Sequence, residues 1–282
     1  MDNDSGLTIA QLVKKYGLLN DKKRSKSLGQ HFLCDESLLR RIVACALPLG
    51  DNDIVEVGPG PCGLTRAIMD VAGDRHIFCI EKDPLLRQFH ENIFSKSAPN
   101  INFIYEDALH IKPQSLTNRD VTIISNLPYN VGTKILLNWL LDLNKINKMV
   151  LMFQKEVADR ICAKVGTKEY GRLSIISQLL CKTEKMFNVS NSAFYPHPQV
   201  TSTVVKLIPK MVTIKDIKAL ERFTAICFSQ RRKTIYSILK THYKYNVEET
   251  LNSCDIQKMS RPENITPEKF LELSQRFHYA NF

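Results

Sequence analysis

The sequence predicts an α/β fold, a mostly parallel seven-stranded sheet with helices on both faces, followed by a small all-helical region. Three observations carry this. Short apolar, β-branched runs alternate with helix-period segments up to about residue 208. A Gly/Pro-rich loop joins the first strand to its helix. After Pro209 only helical periods remain. Repeated β-α units imply parallel strands with covering helices.

The elements follow in order. Residues 1–26 make a polar arm carrying Lys14, Lys15, Lys22, Lys23, Arg24 and Lys26. Its weak periodicity (Leu7, Leu12, Val13, Tyr16) leaves it open between a flexible tail and a nucleic-acid contact. Apolar positions 38, 39, 42, 43, 46 and 47 have a helix period. Strands are expected at 53–57, 76–80, 101–105, 121–125 and 149–153. Helices are expected at 64–72, 85–94, 134–141, from about 155, and at 173–180. Residues 186–189 and 202–208 read as a final strand pair around a Pro-rich loop. The expected division is therefore an arm over 1–26, a catalytic domain over 27–210 and a helical domain over 211–282.

Bulk properties narrow the class. The chain has 282 residues, 44% hydrophobic and 24% charged, so a sizeable core is expected. No apolar run approaches the ~20 residues of a membrane-spanning helix. Asp2 and Asp4, with no apolar stretch beside them, argue against a secretory or transit segment. A net charge of +10 points to a polyanion, with nucleic acid ahead of membrane. Eight cysteines contain no Cys-x-x-Cys pair, which argues against a metal site and a disulfide framework. Reduced, buried thiols in a cytoplasmic protein fit this pattern.

Chemistry concentrates at the ends of the expected strands. Glu56-Val57-Gly58-Pro59-Gly60-Pro61-Cys62-Gly63 lets backbone approach a ligand closely. Glu81, ending the second strand, can accept from both hydroxyls of a ribose. Asp107, after the third, can accept from an adenine amino group or be an ordinary turn residue. Together they favour a nucleoside-bearing cofactor, either a dinucleotide or S-adenosylmethionine. Asn126-Leu127-Pro128-Tyr129 closes the strand Val121–Ser125. Asn offers a side-chain acceptor, and the residue before Pro is held extended and can aim its carbonyl outward. Tyr offers a flat face. Two acceptors beside an aromatic plate suit the exocyclic amino group of a base; the competing reading is a plain Pro-containing turn.

These residues lead to a resemblance. The chain resembles the ribosomal RNA adenine dimethyltransferases that act on small-subunit RNA, from about Ser27 to at least Thr266. The shared motifs are Leu28-Gly29-Gln30-His31-Phe32-Leu33, the Glu56–Thr65 loop, Asn126–Tyr129 and Gln154–Arg160. Tyr170–Ser174, Ala193–Pro198, Gln230–Thr234 and Arg261–Asn264 complete them. The resemblance implies a class I methyltransferase fold with a helical carboxyl-terminal domain and S-adenosylmethionine as methyl donor. It implies a cofactor site of His31, Leu33, Gly58, Gly60, Glu81, Asp107 and Asn126, and no metal. It implies N6-dimethylation of two adjacent adenosines in the 3′-terminal hairpin of small-subunit rRNA, with a part in subunit biogenesis. The partner is then the small-subunit precursor, met in the cytoplasm by a monomer that needs no membrane.

In that reading Asn126 and the Leu127 carbonyl hold the target amino group, Tyr129 stacks on the base and Phe194 clamps its other face. Phe194 as plain core is the competitor. Lys22, Lys23, Arg24, Arg172, Arg231, Arg232 and Lys233 are candidates for RNA phosphate; for Arg231–Lys233 a helix-helix contact competes. Two positions depart from the family pattern: His31 stands where many members carry Asn, and Cys62 where a third loop glycine is common. Should that loop position need positive φ, Cys would be strained. The alternatives are a large-subunit rRNA methyltransferase of the macrolide-resistance type, a non-catalytic assembly or transcription factor, and a dinucleotide oxidoreductase.

Overall fold

The computed structural model describes residues 7–20, 29–94, 98, 100–212, 214, 216–230, 232–243 and 246–279. The chain divides into two compact units, one of residues 1–158 and 184–209, the other of residues 159–183 and 210–282.

Strands β2 (Asp53–Val57), β3 (Ile77–Ile80), β4 (Ile101–Ile104), β5 (Val121–Asn126), β6 (Ile146–Gln154), β7 (Cys181–Val189) and β9 (Ser202–Pro209) form one sheet, which belongs to the first unit except for the first three residues of β7. Its order is β4-β3-β2-β5-β6-β9-β7. Pairings among β2 to β6 are parallel and β9 runs antiparallel to β6. All five residues of β2 are buried, as expected for a strand covered on both faces. Helices α2 (Glu36–Ala44), α3 (Gly63–Ala72), α4 (Arg87–Phe94) and α5 (Gly132–Leu140) intervene. Asp35 caps α2 by accepting from the Ser37 and Leu38 N–H groups. Ile42, Val43, Ile54, Ile68, Ile124 and Val204 belong to one continuous core.

Two short strands were not expected. β1 (Phe32–Leu33) and β8 (Phe194–Tyr195) pair antiparallel, with Leu33 opposite Phe194. Two-residue strands leave no period to read.

The basic arm also departs from expectation. Ile9–Lys15 is a helix, α1, whose Thr8 and Gln11 form a capping box. Its Ile9, Leu12 and Val13 are buried against Phe32, Cys62, Leu86 and Phe89. This stretch is thus part of the core rather than a tail. Lys22, Lys23 and Arg24 lie outside the described residues.

The second unit holds α7 (Arg172–Leu180), α8 (Ile217–Cys227), α9 (Ile235–His242), α10 (Val247–Ser253) and α11 (Pro267–Tyr279), after α6 (Lys155–Ile161), in which the chain leaves the first unit. The expected single block over 27–210 is interrupted here. Tyr170 is fully buried and donates to the Ile265 carbonyl at 2.8 Å, and Gly166 N–H donates to the Glu263 carbonyl at 2.7 Å. Residues 159–183 are therefore held by the carboxyl-terminal helices, and contiguity in sequence concealed it.

Candidate active site

The sheet order creates the site. From β2 the chain builds β3 and β4 to one side, then returns to place β5 on the other. Such a reversal opens a crevice at the carboxyl ends of the two central strands. Asp53, Ile54 and Val55 lie opposite Val121, Thr122 and Ile123, so the two strands end level. Ser125 Oγ fastens those ends by donating to the Val57 carbonyl at 2.7 Å. The loop after β2 consequently faces Asn126–Tyr129 across one cavity, which Glu81 and Asp107 also line. His31 and Leu33 reach the same cavity from the segment around β1.

The glycine loop is tightly held. Gly60 has φ +52°, and a Cβ there would stand 3.0 Å from the Phe32 ring. Its N–H donates to Glu81 Oε2 at 3.2 Å, while Glu81 Oε1 accepts from Asp83 N–H at 2.9 Å. Burial nevertheless raises the Glu81 carboxyl to about 7. Cys62 does adopt the left-handed backbone, at φ 62°. Its thiol is completely buried among α1 residues, and burial pushes its pKa well up, so its role is packing.

At the other wall the Asn126 amide nitrogen donates to the His31 carbonyl at 3.4 Å, which leaves Oδ1 as an acceptor. The Pro128 carbonyl accepts from Gly132 N–H at 2.8 Å and so starts α5. Tyr129 is anchored by a short hydrogen bond between its hydroxyl and Ser202 Oγ. Its ring stacks on His31 with centroids 5.6 Å apart and planes 26° apart. The His31 Nδ1–H donates to the Pro196 carbonyl at 2.9 Å. Asp107 pairs with Lys82 at 2.8 Å and accepts from Leu109 N–H at 3.0 Å, and the Lys82 hydrogen bond holds its pKa down.

A glycine loop with two strand-end acids and an Asn-Leu-Pro-Tyr wall thus share one cavity, a combination that known proteins also carry. The description of ribosomal RNA adenine dimethylases matches residues 20–278. The chain belongs to the ribosomal RNA adenine dimethylase family. A relative from Paramagnetospirillum magneticum, named ribosomal RNA small subunit methyltransferase A, is 39% identical over 95% of this chain and 93% of its own. A namesake from Rhodospirillum rubrum is 38% identical, covering 95% and 91%. Among solved structures, a dimethyladenosine transferase from Plasmodium falciparum is 26% identical with a TM-score of 0.77, covering 89% of this chain and 99% of that one. The 23S rRNA methyltransferase ErmE is 25% identical with a TM-score of 0.68, covering 88% and 99%.

Not every dimethylase residue expected at the site is there. His31, Leu33, Gly58, Gly60, Glu81, Asp107, Asn126, Leu127 and Tyr129 line the cavity. Phe194 does not: it is 1% exposed and packs in the core beside Leu33 and Val204. The expected clamp position is therefore not on the cavity wall: the ring lies in the core, with Phe194 opposite Leu33 in the β1–β8 pair. Arg172, Arg232 and Lys233 are exposed on the second unit, and Arg231 lies outside the described residues. Two titratable groups escaped the sequence reading. Glu56 is buried on β2, accepts from Thr65 Oγ1 at 2.6 Å, and is pushed by burial to about 8. His90 on α4 reaches the Gly60 carbonyl. Glu56 stood in the quoted loop without a role; His90 carried no signal beyond its place in a helix period.

Proposed function

We infer that the protein transfers methyl groups from S-adenosylmethionine to the N6 amino groups of two adjacent adenosines in the 3′-terminal hairpin of small-subunit rRNA. The observation that carries this is the opposition of the Gly58–Gly60 loop and Glu81 to Asn126–Tyr129 in a single cavity of a dimethylase-family chain.

The donor set fits the cofactor. Glu81 keeps lone pairs beyond its two backbone donors, enough to accept ribose hydroxyls. Gly60 admits backbone where a Cβ would collide with Phe32. When bound, S-adenosylmethionine supplies an electrophilic methyl group and a neutral thioether as leaving group. The chain supplies position. The adenine amino lone pair is delocalised into the ring, so the nitrogen must be presented out of conjugation. Asn126 Oδ1 and the Leu127 carbonyl accept its N–H groups and turn its lone pair toward the methyl group. Tyr129, fixed at its hydroxyl and against His31, is an ordered plate for the base. With a cationic donor, strong general-base catalysis is unnecessary and alignment supplies much of the rate. Each transfer leaves a cationic nitrogen that sheds a proton to water, so after the first a single N–H remains to be held.

Exposed Arg172, Arg232 and Lys233 are proposed to meet RNA phosphate. The small subunit is preferred to the large because relatives above 35% identity bear that name over most of their length. The proposal places the protein in the cytoplasm as a monomer, which light scattering of the purified chain checks. No helix among the described residues is long and apolar enough to cross a membrane.

Asn126→Ala tests the chemistry. Methyl transfer from labelled cofactor should fall at least ~100-fold, the scale of losing a preorganised polar contact to the reacting group. Cofactor binding should persist within ~10-fold, since most of its partners remain. Undiminished transfer would remove Asn126 from the mechanism.

A further inference from the structure

One buried imidazole bridges the glycine loop after β2 and the end of β4. His90 on α4 is fully buried, and its Nε2 lies 2.8 Å from the Gly60 carbonyl oxygen. A carbonyl only accepts, so Nε2 carries the proton and donates. Nδ1 lies 3.0 Å from the Tyr105 hydroxyl. Burial pushes the imidazole down to about 4, so the ring is neutral and Nδ1 accepts from Tyr105. The tautomer follows from the two partners. The ring plane is set by Phe103, stacked at 4.4 Å and 16°. Tyr105 is in turn covered by the Arg87 guanidinium at 4.3 Å from its ring.

Gly60 is the centre of this chain of contacts. Its carbonyl accepts the Nε2–H of His90, and its N–H donates to the Glu81 carboxyl. The other donor on that carbonyl is the weak thiol of Cys62, at 3.7 Å. Gly60 has positive φ, and its N–H (in the Pro59–Gly60 peptide) and its carbonyl (in the Gly60–Pro61 peptide) lie in two planes joined through backbone torsions that no side chain restricts. Tyr105 stands two residues before Asp107, which lines the crevice at the end of β4, on the β3–β4 side of the glycine loop.

We propose that His90 is a positioning residue for the cofactor: by fixing the backbone of Gly60 it aims the N–H that holds Glu81, and through Tyr105 it ties that aim to the strand end bearing Asp107. Resting on the assignment of Glu81 to the cofactor ribose, this gives His90 no contact with cofactor or RNA and no part in methyl transfer. Its effect is on cofactor affinity, carried by a hydrogen bond that packing alone does not replace.

The test is calorimetric titration of S-adenosylmethionine into the full chain at pH 8, with steady-state kinetics alongside. His90→Phe keeps an aromatic ring but removes both polar contacts; Kd and cofactor KM should rise ~10-fold, the loss of one buried hydrogen bond, while kcat at saturation changes less than ~2-fold. His90→Gln places an amide N–H near Nε2 and should restore affinity to within ~3-fold of the parent. Tyr105→Phe, which removes only the hydroxyl that accompanies the tautomer, should raise Kd ~3-fold and serves if His90→Phe does not fold. Wild-type Kd in both His90→Phe and Tyr105→Phe, or in Tyr105→Phe alone where the former is unfolded, would overturn the proposal. Equal loss in Gln and Phe would also overturn it, because it would show packing instead of hydrogen bonding. Glu81→Gln separates the underlying reading: a wild-type Kd there removes the ribose assignment, whereas loss there with no effect at His90 or Tyr105 removes only this inference.

Discussion

At the scale of residues, two buried carboxyls set the response to pH. Burial raises the Glu81 carboxyl to about 7. Ribose hydroxyls donate, so they select its ionised form. Cofactor Kd should therefore be flat above pH 8 and rise toward ~10-fold per unit below pH 7. In Glu81→Gln this dependence should vanish. Titration calorimetry between pH 5.5 and 8.5 checks both; a wild-type Kd independent of pH would exclude Glu81 from the ribose. Glu56 lies at about 8, raised by burial. Its folded pKa exceeds the unfolded value of 4.5, so its contribution to stability is full below about 4.5 and is lost as pH rises through 8. Gln at that position cannot ionise. Glu56→Gln should thus gain on the parent by at least ~1 kcal/mol between pH 5 and pH 8, measured by urea unfolding at each pH. A gap that stays constant with pH would show that Glu56 is ionised in the fold.

At the scale of elements, α1 shows what the arm is for. Leu12 is fully buried against the loop that carries Cys62. Leu12→Ala should destabilise the chain by ~2–5 kcal/mol in urea unfolding, the range for a truncated core leucine; no loss would return α1 to the status of a tail. The strand ends were legible in the sequence because a buried parallel strand is an apolar run, and the polar residue that follows it stands out. Glu81, Asp107 and Asn126 were found that way. Elements too short for a period were not: β1 and β8 hold two residues each, and only their pairing shows that Phe194 faces inward. The α1 periodicity was visible as Leu7, Leu12, Val13 and Tyr16, but lysines beside it masked a buried face. His90 was beyond reach, since its meaning lies in a contact with a carbonyl thirty residues away.

At the scale of the molecule, the chain completes its sheet discontinuously. Residues 159–183 and 210–282 make one helical unit while 184–209 return to the sheet with β7 and β9. The change to helical periods after Pro209 predicts two bodies; the crossing of the chain between them has no local signature, because α7 is as apolar as a helix covering the sheet. The net charge of +10 suits RNA, and the family supplies the class of substrate. Purified protein and labelled S-adenosylmethionine are incubated with under-methylated small subunits and, separately, with naked large-subunit RNA, and the modified bases are mapped by mass spectrometry. The account predicts N6-dimethyladenosine at two adjacent positions of the small-subunit 3′-terminal hairpin and background label on large-subunit RNA. Label on large-subunit adenine, or none on small subunits with folded, cofactor-binding protein, would contradict it.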